Sequence, residues 1–234
     1  LLMLKNIFFF KRYLVDLVEF KKRGGKINYY WPIFADNIKK SGDISGDYFH
    51  QDLLVASYIF KSNPAKHLDI ASRIDGFVAH VASFRKIEIA DIRPQISNLH
   101  ENITYKFLDL TNITDDYLNY TDSLSCLHSI EHIGLGRYGD KLDPTGYKLA
   151  INNLIKILKP GGTLYLSFPL SKKTRVFFNA HRTLDPKIIL LWSDKLCFKN
   201  FDYIDVAGNL HKNISESEFF NLNDGCGILT VKKK

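Results

Sequence analysis

Cysteine is scarce in this sequence: its 234 residues include only three, at positions 126, 197 and 226. A set so small and so widely spaced forms neither a disulfide framework nor a paired CxxC metal site. We therefore expect a cytoplasmic protein that folds without disulfides or a structural metal. Hydrophobic residues make up 45% and charged residues 24% of the chain, which is the composition of a globular protein with its own core.

Long apolar runs are also absent. Residues 1–10 are apolar, but Lys5 interrupts the run and Lys11 ends it. The run is shorter than the ~20 residues that span a bilayer, and no small-residue cleavage site follows it, so we expect neither a transmembrane segment nor a signal peptide. Apolar residues recur at near-helical spacing from Leu4 to Val18. This predicts an amphipathic helix that packs on the domain or, alternatively, makes peripheral contact with a membrane.

Nucleic-acid signatures are missing as well, although the net charge is +7. The basic residues form short clusters, such as residues 21–23 and 232–234, and no cluster is interleaved with aromatic residues. A solvated surface explains this pattern better than a nucleic-acid partner does. Attraction of an anionic substrate or a membrane surface is the alternative, and no pattern indicates the oligomeric state.

Apolar, β-branched runs alternate with helical patterns along most of the chain. The predicted strands cover residues 67–71, 86–92, 103–108, 124–128, 163–168, 203–206 and 227–232, and the predicted helices cover residues 51–60, 76–84, 115–120, 146–158 and 184–191. This alternation predicts an α/β fold with a doubly wound, mostly parallel sheet. We place the α/β domain at residues 64–234, after a helical extension and connection at residues 1–63.

Acidic residues lie at the ends of three successive predicted strands, where ligands bind in parallel sheets. Asp69 lies in the first strand, Asp91 ends the second and Asp109 ends the third. Asp91 is placed to accept hydrogen bonds from a ribose diol, and Asp109 to accept one from an adenine amino group. Aspartate commonly ends strands and caps helices, so each residue alone says little, but together the three favour a nucleoside ligand.

Three segments carry a resemblance to a known superfamily. HLDIA at residues 67–71, DSLSCLHSIEH at residues 122–132 and ILKPGGTLYLSFP at residues 157–169 resemble the class I methyltransferases that use S-adenosylmethionine. The resemblance covers about residues 66–168. It implies a seven-stranded Rossmann-like sheet, an S-adenosylmethionine cofactor and a transferase activity on a small-molecule substrate.

A closer similarity extends beyond these segments. YFHQDL at residues 48–53, SRIDGFVAH at residues 72–80, IEHIGLGRYGD at residues 130–140 and FNAHR at residues 178–182 resemble a family known only as domain of unknown function 268. That family has no established activity, so the similarity bears on the fold and the site but not on the reaction.

The first superfamily motif departs from its usual form, DxGxGxG. Ala71, Arg73 and Asp75 stand at the three glycine positions, and Gly76 is displaced by one residue. Either the loop runs differently and Arg73 holds the carboxylate of the cofactor, or the site no longer binds that cofactor. On the first interpretation, the resemblance implies that the cofactor is bound by Asp69, Ala71, Ser72, Arg73, Asp75, Gly76, Asp91 and Asp109.

The segment His128-Ser-Ile-Glu131-His132 supplies the candidate catalytic residues. Its spacing also matches H-x-x-E-H zinc proteases, but those histidines lie on a helix and the preceding residues predict a strand, so we expect no metal. A neutral imidazole of His128 or His132 suits a general base. In the alternative interpretation, Glu131 caps the next segment and His132 packs under the sheet edge.

The loops after the fourth and fifth strands supply the candidate acceptor site. Tyr138 lies in a glycine-rich loop, and Asn179, His181 and Arg182 follow the fifth strand. This group suits an anionic or sugar-like acceptor, and a structural polar network is the alternative. Because both loops leave the same sheet edge, we expect His128 or His132 within hydrogen-bonding reach of residues 179–182.

The sequence thus predicts a methyltransferase that uses S-adenosylmethionine on a small hydroxylated or anionic acceptor, such as a saccharide. The alternative is a catalytically silent domain of the same fold that binds a nucleotide-like ligand or a protein partner.

Overall fold

A computed structural model describes residues 2–34, 42, 44, 46–94 and 100–234. The chain divides into two compact units, Leu1–Asp43 and Ile44–Lys234. In the first unit, α1 (Leu2–Lys22) forms the predicted amino-terminal helix, in which the side chains of residues 2–7 lie outside the described part. Tyr13 packs edge-on against Phe34 within this unit. No helix in the described part of the chain has the length and apolarity needed to cross a membrane.

The second unit is built on ten strands. They are β1 (His67–Ile70), β2 (Ile87–Asp91), β3 (Ile103–Phe107), β4 (Thr121–Leu127), β5 (Leu158–Pro169), β6 (Arg175–Phe177), β7 (His181–Thr183), β8 (Leu196–Ile204), β9 (Leu210–His211) and β10 (Cys226–Lys233). Eight of them form one sheet in the order β3-β2-β1-β4-β5-β10-β8-β9, and β6 pairs with β7 in a separate hairpin.

The large sheet confirms the predicted fold class. Strands β1 to β5 pair in parallel, and Leu68 of β1 lies opposite Glu88 of β2, as expected for neighbouring strands. Strand β10 lies between β5 and β8 and is antiparallel to both. The sheet has eight strands rather than seven because the Asp205 side chain accepts hydrogen bonds from the backbone of residues 207 and 209, and this turn returns β9 against β8.

Helices cover both faces of the sheet. The helical elements of this unit are α2 (Asp47–Ser62), α3 (Ala79–Ala82), α4 (Gly146–Ile157) and α5 (Glu216–Phe219), with a π-helical segment at Ile74–Val78 and 3₁₀ segments at Asp115–Tyr117, Ile130–His132 and Pro186–Trp192. One core layer includes Leu154 of α4 and Leu166 of β5. The other includes Val55 of α2, Phe77 and Ile228 of β10. Two buried layers on one sheet define a doubly wound domain.

Helix α2 is part of the α/β unit. Its residues Leu54, Val55 and Ile59 are buried, and they share a core layer with Val81 of α3 and Ile89 of β2. The compact unit therefore begins at Ile44, whereas the sequence placed the domain start at residue 64. The predicted boundary followed the proline that ends α2 and took no account of what the apolar face of that helix covers.

Candidate functional site

A cleft of about 410 Å³ opens at the carboxyl ends of β1 to β4. Parallel strands point their carboxyl ends at this edge, so the loops that leave them meet there. Of the predicted site residues, the cleft is lined by Ala71, Ser72, Arg73, Asp91, Asp109, His128, His132 and Tyr138. A second cavity lies beside it and is lined by Ser72, Asp75, Asp91 and Tyr105, among others.

Asp69 lies behind the cleft and organises the loop after β1. Its carboxylate accepts hydrogen bonds from the Ser72 backbone N–H (2.9 Å), the Ser72 hydroxyl (2.8 Å) and the Ser125 hydroxyl. Complete burial raises the pKa of Asp69 to about 6, against the lowering effect of these bonds. The Ser125 hydroxyl also lies 3.1 Å from His67 Nε2, and burial lowers the pKa of that imidazole to about 3. Asp69 therefore positions the loop and does not face the cleft.

The loop from Ala71 to Gly76 stands where the superfamily has its glycine motif. Ala71 has a φ of 60°, in the left-handed region that favours glycine. Arg73 donates two hydrogen bonds to Asp75, at 3.0 and 2.7 Å, and both side chains are exposed. A Cβ atom on Gly76 would lie 2.9 Å from the Asp52 carboxylate on α2. Gly76 thus permits close packing against α2, while the Arg73 side chain is directed toward Asp75.

Asp91 ends β2 and lines both cavities. Its Oδ1 atom accepts hydrogen bonds from the Arg93 backbone N–H at 2.8 Å and from Arg93 Nε at 3.0 Å. Its Oδ2 atom accepts hydrogen bonds from Nε at 2.9 Å and from Nη2 of the same guanidinium. Arg93 was not among the predicted site residues, although a cation two residues after a strand-end carboxylate is a local signal for such a pair.

Asp109 follows β3 and lines the cleft on its opposite wall. Its Oδ1 atom accepts hydrogen bonds from the Thr111 backbone N–H (2.8 Å) and the Thr111 hydroxyl (2.7 Å). This local turn fixes the carboxylate and uses one of its two oxygens. Asp91 and Asp109 therefore both present carboxylates to one cleft, as the sequence predicted.

His128 lies just beyond β4 with a φ of 48°, a conformation that is uncommon for residues other than glycine. Its Nδ1 atom lies 3.1 Å from Glu131 Oε1, and its Nε2 atom lies 3.0 Å from Cys226 Sγ. Burial disfavours the charged ring, but the contacts with Cys226 and Glu131 raise the pKa of His128 well above its ordinary value. Both ring nitrogens are occupied inside the protein, so His128 is poorly placed to take a proton from an acceptor.

Glu131 lies in the 3₁₀ segment between the two histidines and is buried, with 2% of its side chain exposed. Its Oε1 atom is within 3.7 Å of His132 Nε2 as well as close to His128. Its Oε2 atom has no hydrogen-bond partner among the described residues. Glu131 therefore lies where its carboxylate can orient both imidazoles. Strand β4 runs up to His128, so the helix that an H-x-x-E-H zinc site requires is not formed there.

His132 is the better placed of the two imidazoles. Its Nδ1 atom lies 2.7 Å from the Ala180 carbonyl, which fixes the proton on Nδ1 and leaves Nε2 as an acceptor. Burial lowers the pKa of His132, although the nearby Glu131 carboxylate opposes this. The Ala180 contact confirms the expectation that one of these histidines reaches residues 179–182. His132 is thus neutral near pH 7 and lines the cleft.

Tyr138 and Arg137 form the wall of the cleft beside His132. The Tyr138 ring packs edge-on against His132 at 5.5 Å between centroids. The guanidinium carbon of Arg137 lies 5.0 Å from the centroid of the Tyr138 ring, and Nη1 donates a hydrogen bond to the Ala180 carbonyl at 2.8 Å. No carboxylate in the described residues pairs with Arg137. The glycine-rich loop was predicted to lie at the site, but Arg137 was not among the predicted site residues.

The other predicted acceptor residues, Asn179, His181 and Arg182, are not among the described residues that line the cleft. Asn179 is exposed, and the His181 ring stacks on Phe177 at 4.9 Å. Arg182 is 1% exposed and donates a hydrogen bond to the Ile133 carbonyl at 2.5 Å, and burial lowers its pKa. Its guanidinium also lies 4.9 Å from the Tyr147 ring. Arg182 is therefore part of the structural polar network that the sequence left as the alternative.

The fold resembles several solved structures at low sequence identity. N-methyltransferase NodS from Bradyrhizobium japonicum WM9 matches with a TM-score of 0.55 and 16% identity, over 79% of this chain and 93% of that chain. The cyclase SpnF matches with a TM-score of 0.57 and 12% identity, over 82% and 85%. The glycopeptide N-methyltransferase MtfA, complexed with S-adenosyl-L-homocysteine, matches with a TM-score of 0.55 and 9% identity, over 85% and 95%. These likenesses establish the fold.

No curated protein matches the sequence. A family model does match, over residues 77–217, and its description is "Caenorhabditis protein of unknown function, DUF268". The match covers more than half of the chain and includes β2 to β9, with the His128–His132 segment and the loop that carries Tyr138. The chain therefore belongs to the DUF268 family and has the fold of the class I methyltransferases.

Proposed function

We propose that this protein is a methyltransferase that uses S-adenosylmethionine and acts on a small hydroxylated or anionic acceptor. The observation that carries the proposal is the pair of carboxylates, Asp91 and Asp109, that lines a single cleft at the ends of β2 and β3. Carboxylates at these positions accept hydrogen bonds from a ribose diol and an exocyclic amine. The similar structures of NodS and MtfA were both solved with S-adenosylhomocysteine, which supports the same class of ligand here.

The cleft residues fit an adenosyl ligand. Asp91 would hold the ribose and Asp109 the adenine edge, while the backbone at Ala71 and Ser72 would face the methionyl portion. The left-handed φ of Ala71 supports this assignment because it is a conformation that glycine, the usual residue at this position, adopts readily. S-adenosylmethionine, when bound, would supply a methyl group activated by a positively charged sulfur; its sulfur–methyl bond would break and S-adenosylhomocysteine would be the leaving group.

His132 would then act as the general base. Its Nε2 atom would accept the proton of an acceptor hydroxyl as the acceptor oxygen bonds to the methyl carbon, and the imidazolium would be stabilised by Glu131 at 3.7 Å. The Ala180 carbonyl keeps the ring in the required tautomer. Most of the rate acceleration would come from alignment of the two substrates in the cleft.

Arg137 favours an acceptor that carries an anionic group. It lies on the cleft wall, and its Nη1 atom is 3.4 Å from His132 Nδ1. A guanidinium binds carboxylate or phosphate groups through paired hydrogen bonds. An acid held by Arg137 would present a neighbouring hydroxyl to His132. We accordingly narrow the acceptor to small hydroxylated acids, with neutral saccharides as the weaker alternative.

Calorimetric titration with S-adenosylhomocysteine tests the cofactor assignment. We expect the wild-type protein to bind this ligand, and Asp91→Asn to weaken binding by about tenfold or more, because two hydrogen bonds to a charged acceptor are lost. Asp115→Asn changes an exposed carboxylate in the segment Asp115–Tyr117 and serves as the matched control, with unchanged affinity.

Absence of binding at millimolar ligand, or equal affinities for wild type and Asp91→Asn, would contradict the assignment. Binding without methyl transfer to any hydroxylated acid would instead support the catalytically silent alternative.

A further inference from the structure

Arg93 occupies the acceptor atoms that the ribose would need. Its guanidinium and backbone N–H together direct four hydrogen bonds at the two oxygens of Asp91. The Asp91 side chain is only 12% exposed, so few directions are left from which another donor approaches. A carboxylate engaged by a forked guanidinium has little remaining capacity for a diol.

The same side chain lines two cavities. The linings of the cleft and the neighbouring cavity share Ala71, Ser72, Arg73, Asp91 and Arg93. Arg93 Nη2 also donates a hydrogen bond to the Ala71 carbonyl at 3.3 Å, so the guanidinium spans the gap between the β1 loop and the end of β2. If Arg93 moved away from Asp91, the lining of both cavities would change.

Arg93 has an alternative place to lie. Its side chain is 42% exposed, and its guanidinium carbon is already 5.1 Å from the Tyr138 ring. An aromatic face and solvent can both accommodate a guanidinium that has lost its carboxylate partner. The exchange therefore requires a side-chain rotation and leaves the strands in place.

We propose that Arg93 competes with the cofactor ribose for Asp91 and thereby sets the affinity and selectivity of the cofactor site. This inference rests on the proposed function. An adenosyl ligand must displace the guanidinium before its diol reaches the carboxylate, so part of the binding free energy is used to break the Arg93–Asp91 pair. Ligands without a diol cannot make this exchange and are rejected.

The test compares S-adenosylhomocysteine binding in wild type, Arg93→Met and Arg93→Lys by calorimetry. We expect Arg93→Met to bind about tenfold more tightly, equivalent to about 1.4 kcal/mol, and Arg93→Lys to lie between the two, because an ammonium lacks the fork. Lys66→Met is the matched control. This substitution also removes a cation from an ion pair, since Lys66 lies 3.3 Å from Glu88. Lys66 precedes β1, at the end of the strands away from the cleft. The Lys66→Met variant should therefore bind S-adenosylhomocysteine with the affinity of wild type.

A second measurement uses the wild-type protein and does not depend on the folding of a variant. The Nε–H proton signal of Arg93, assigned by its loss in Arg93→Lys, should shift when S-adenosylhomocysteine is added. If wild type binds but the Arg93 variants bind no more tightly and this signal does not move, the competition is refuted while the cofactor assignment stands. If neither wild type nor Arg93→Met binds, the proposed function fails and the inference fails with it.

Discussion

Replacement of His132 by glutamine should lower kcat by about 10²- to 10⁴-fold, the usual contribution of a general base. Glutamine approximates the size of the ring and can still donate to the Ala180 carbonyl, but it cannot take up a proton. The affinity for S-adenosylhomocysteine should be unchanged. The measurement is release of S-adenosylhomocysteine from S-adenosylmethionine with a panel of hydroxylated acids, including D-glucuronate and salicylate.

The pH dependence of the wild-type reaction gives an independent test of this base. Burial lowers the pKa of His132 from 6.5, and catalysis needs the neutral ring. The rate should therefore rise with pH through a pKa below 6.5 and stay level above it.

The control for the His132 substitution is His211→Gln. It changes an exposed histidine that pairs with Asp205 and should leave the rate intact. A His132→Gln rate within threefold of wild type (a difference of about 0.7 kcal/mol) would exclude the assignment.

Asp69 should make the folded protein less stable as the pH rises. Its pKa is raised from 3.8 to about 6 by burial, so the folded state holds this proton more tightly than the unfolded chain does. The contribution is fully present below pH 3.8 and is lost as the pH passes through about 6. Relative to Asp69→Asn, which does not titrate, the free energy of unfolding of wild type should fall by about 2 kcal/mol between about pH 4.5 and pH 7.5. Urea denaturation across this range measures the difference.

A carboxylate with the opposite shift provides the control. Asp205 accepts hydrogen bonds from His211 and Asn209, and these lower its pKa. Its contribution to stability is therefore present above the unfolded pKa and is lost as the pH falls. The difference in free energy of unfolding between wild type and Asp205→Asn should therefore stay level from about pH 4.5 to pH 7.5, and it should fall only when the pH drops below 3.8. If the difference in free energy of unfolding between wild type and Asp69→Asn stayed constant from about pH 4.5 to pH 7.5, the pKa of Asp69 would not be raised in the folded protein.

The central sheet could be predicted because parallel strands leave a strong pattern. Strands β1 to β3 are short runs rich in apolar residues, and Gly161, which has a φ of 74°, lies near the start of β5. The helices predicted at residues 115–120 and 184–191 form 3₁₀ segments instead. Apolar spacing does not distinguish one tight helical form from another over so few residues.

Site residues that lie at strand ends could be predicted from the sequence. Residues whose role depends on the direction of the side chain could not. Asp91 and Asp109 follow from the topology alone. Arg182 was expected to face a substrate, but the β6–β7 hairpin turns it inward, onto backbone carbonyls after β4. His128 was a candidate general base, but its Nε2 atom contacts Cys226, which is 98 residues away in the chain. No local pattern indicates a contact of that kind.

The position of β10 has a consequence for how the chain acquires its structure during synthesis. This strand is made after β5 and β8, yet it lies between them in the sheet. Until residues 226–233 leave the ribosome, β5 and β8 each have an edge without its final neighbour, and such edges invite pairing with other chains. Pairing over long sequence separations also slows folding. Because β10 carries Cys226 to His128, the same late event completes both the sheet and the wall behind the cleft.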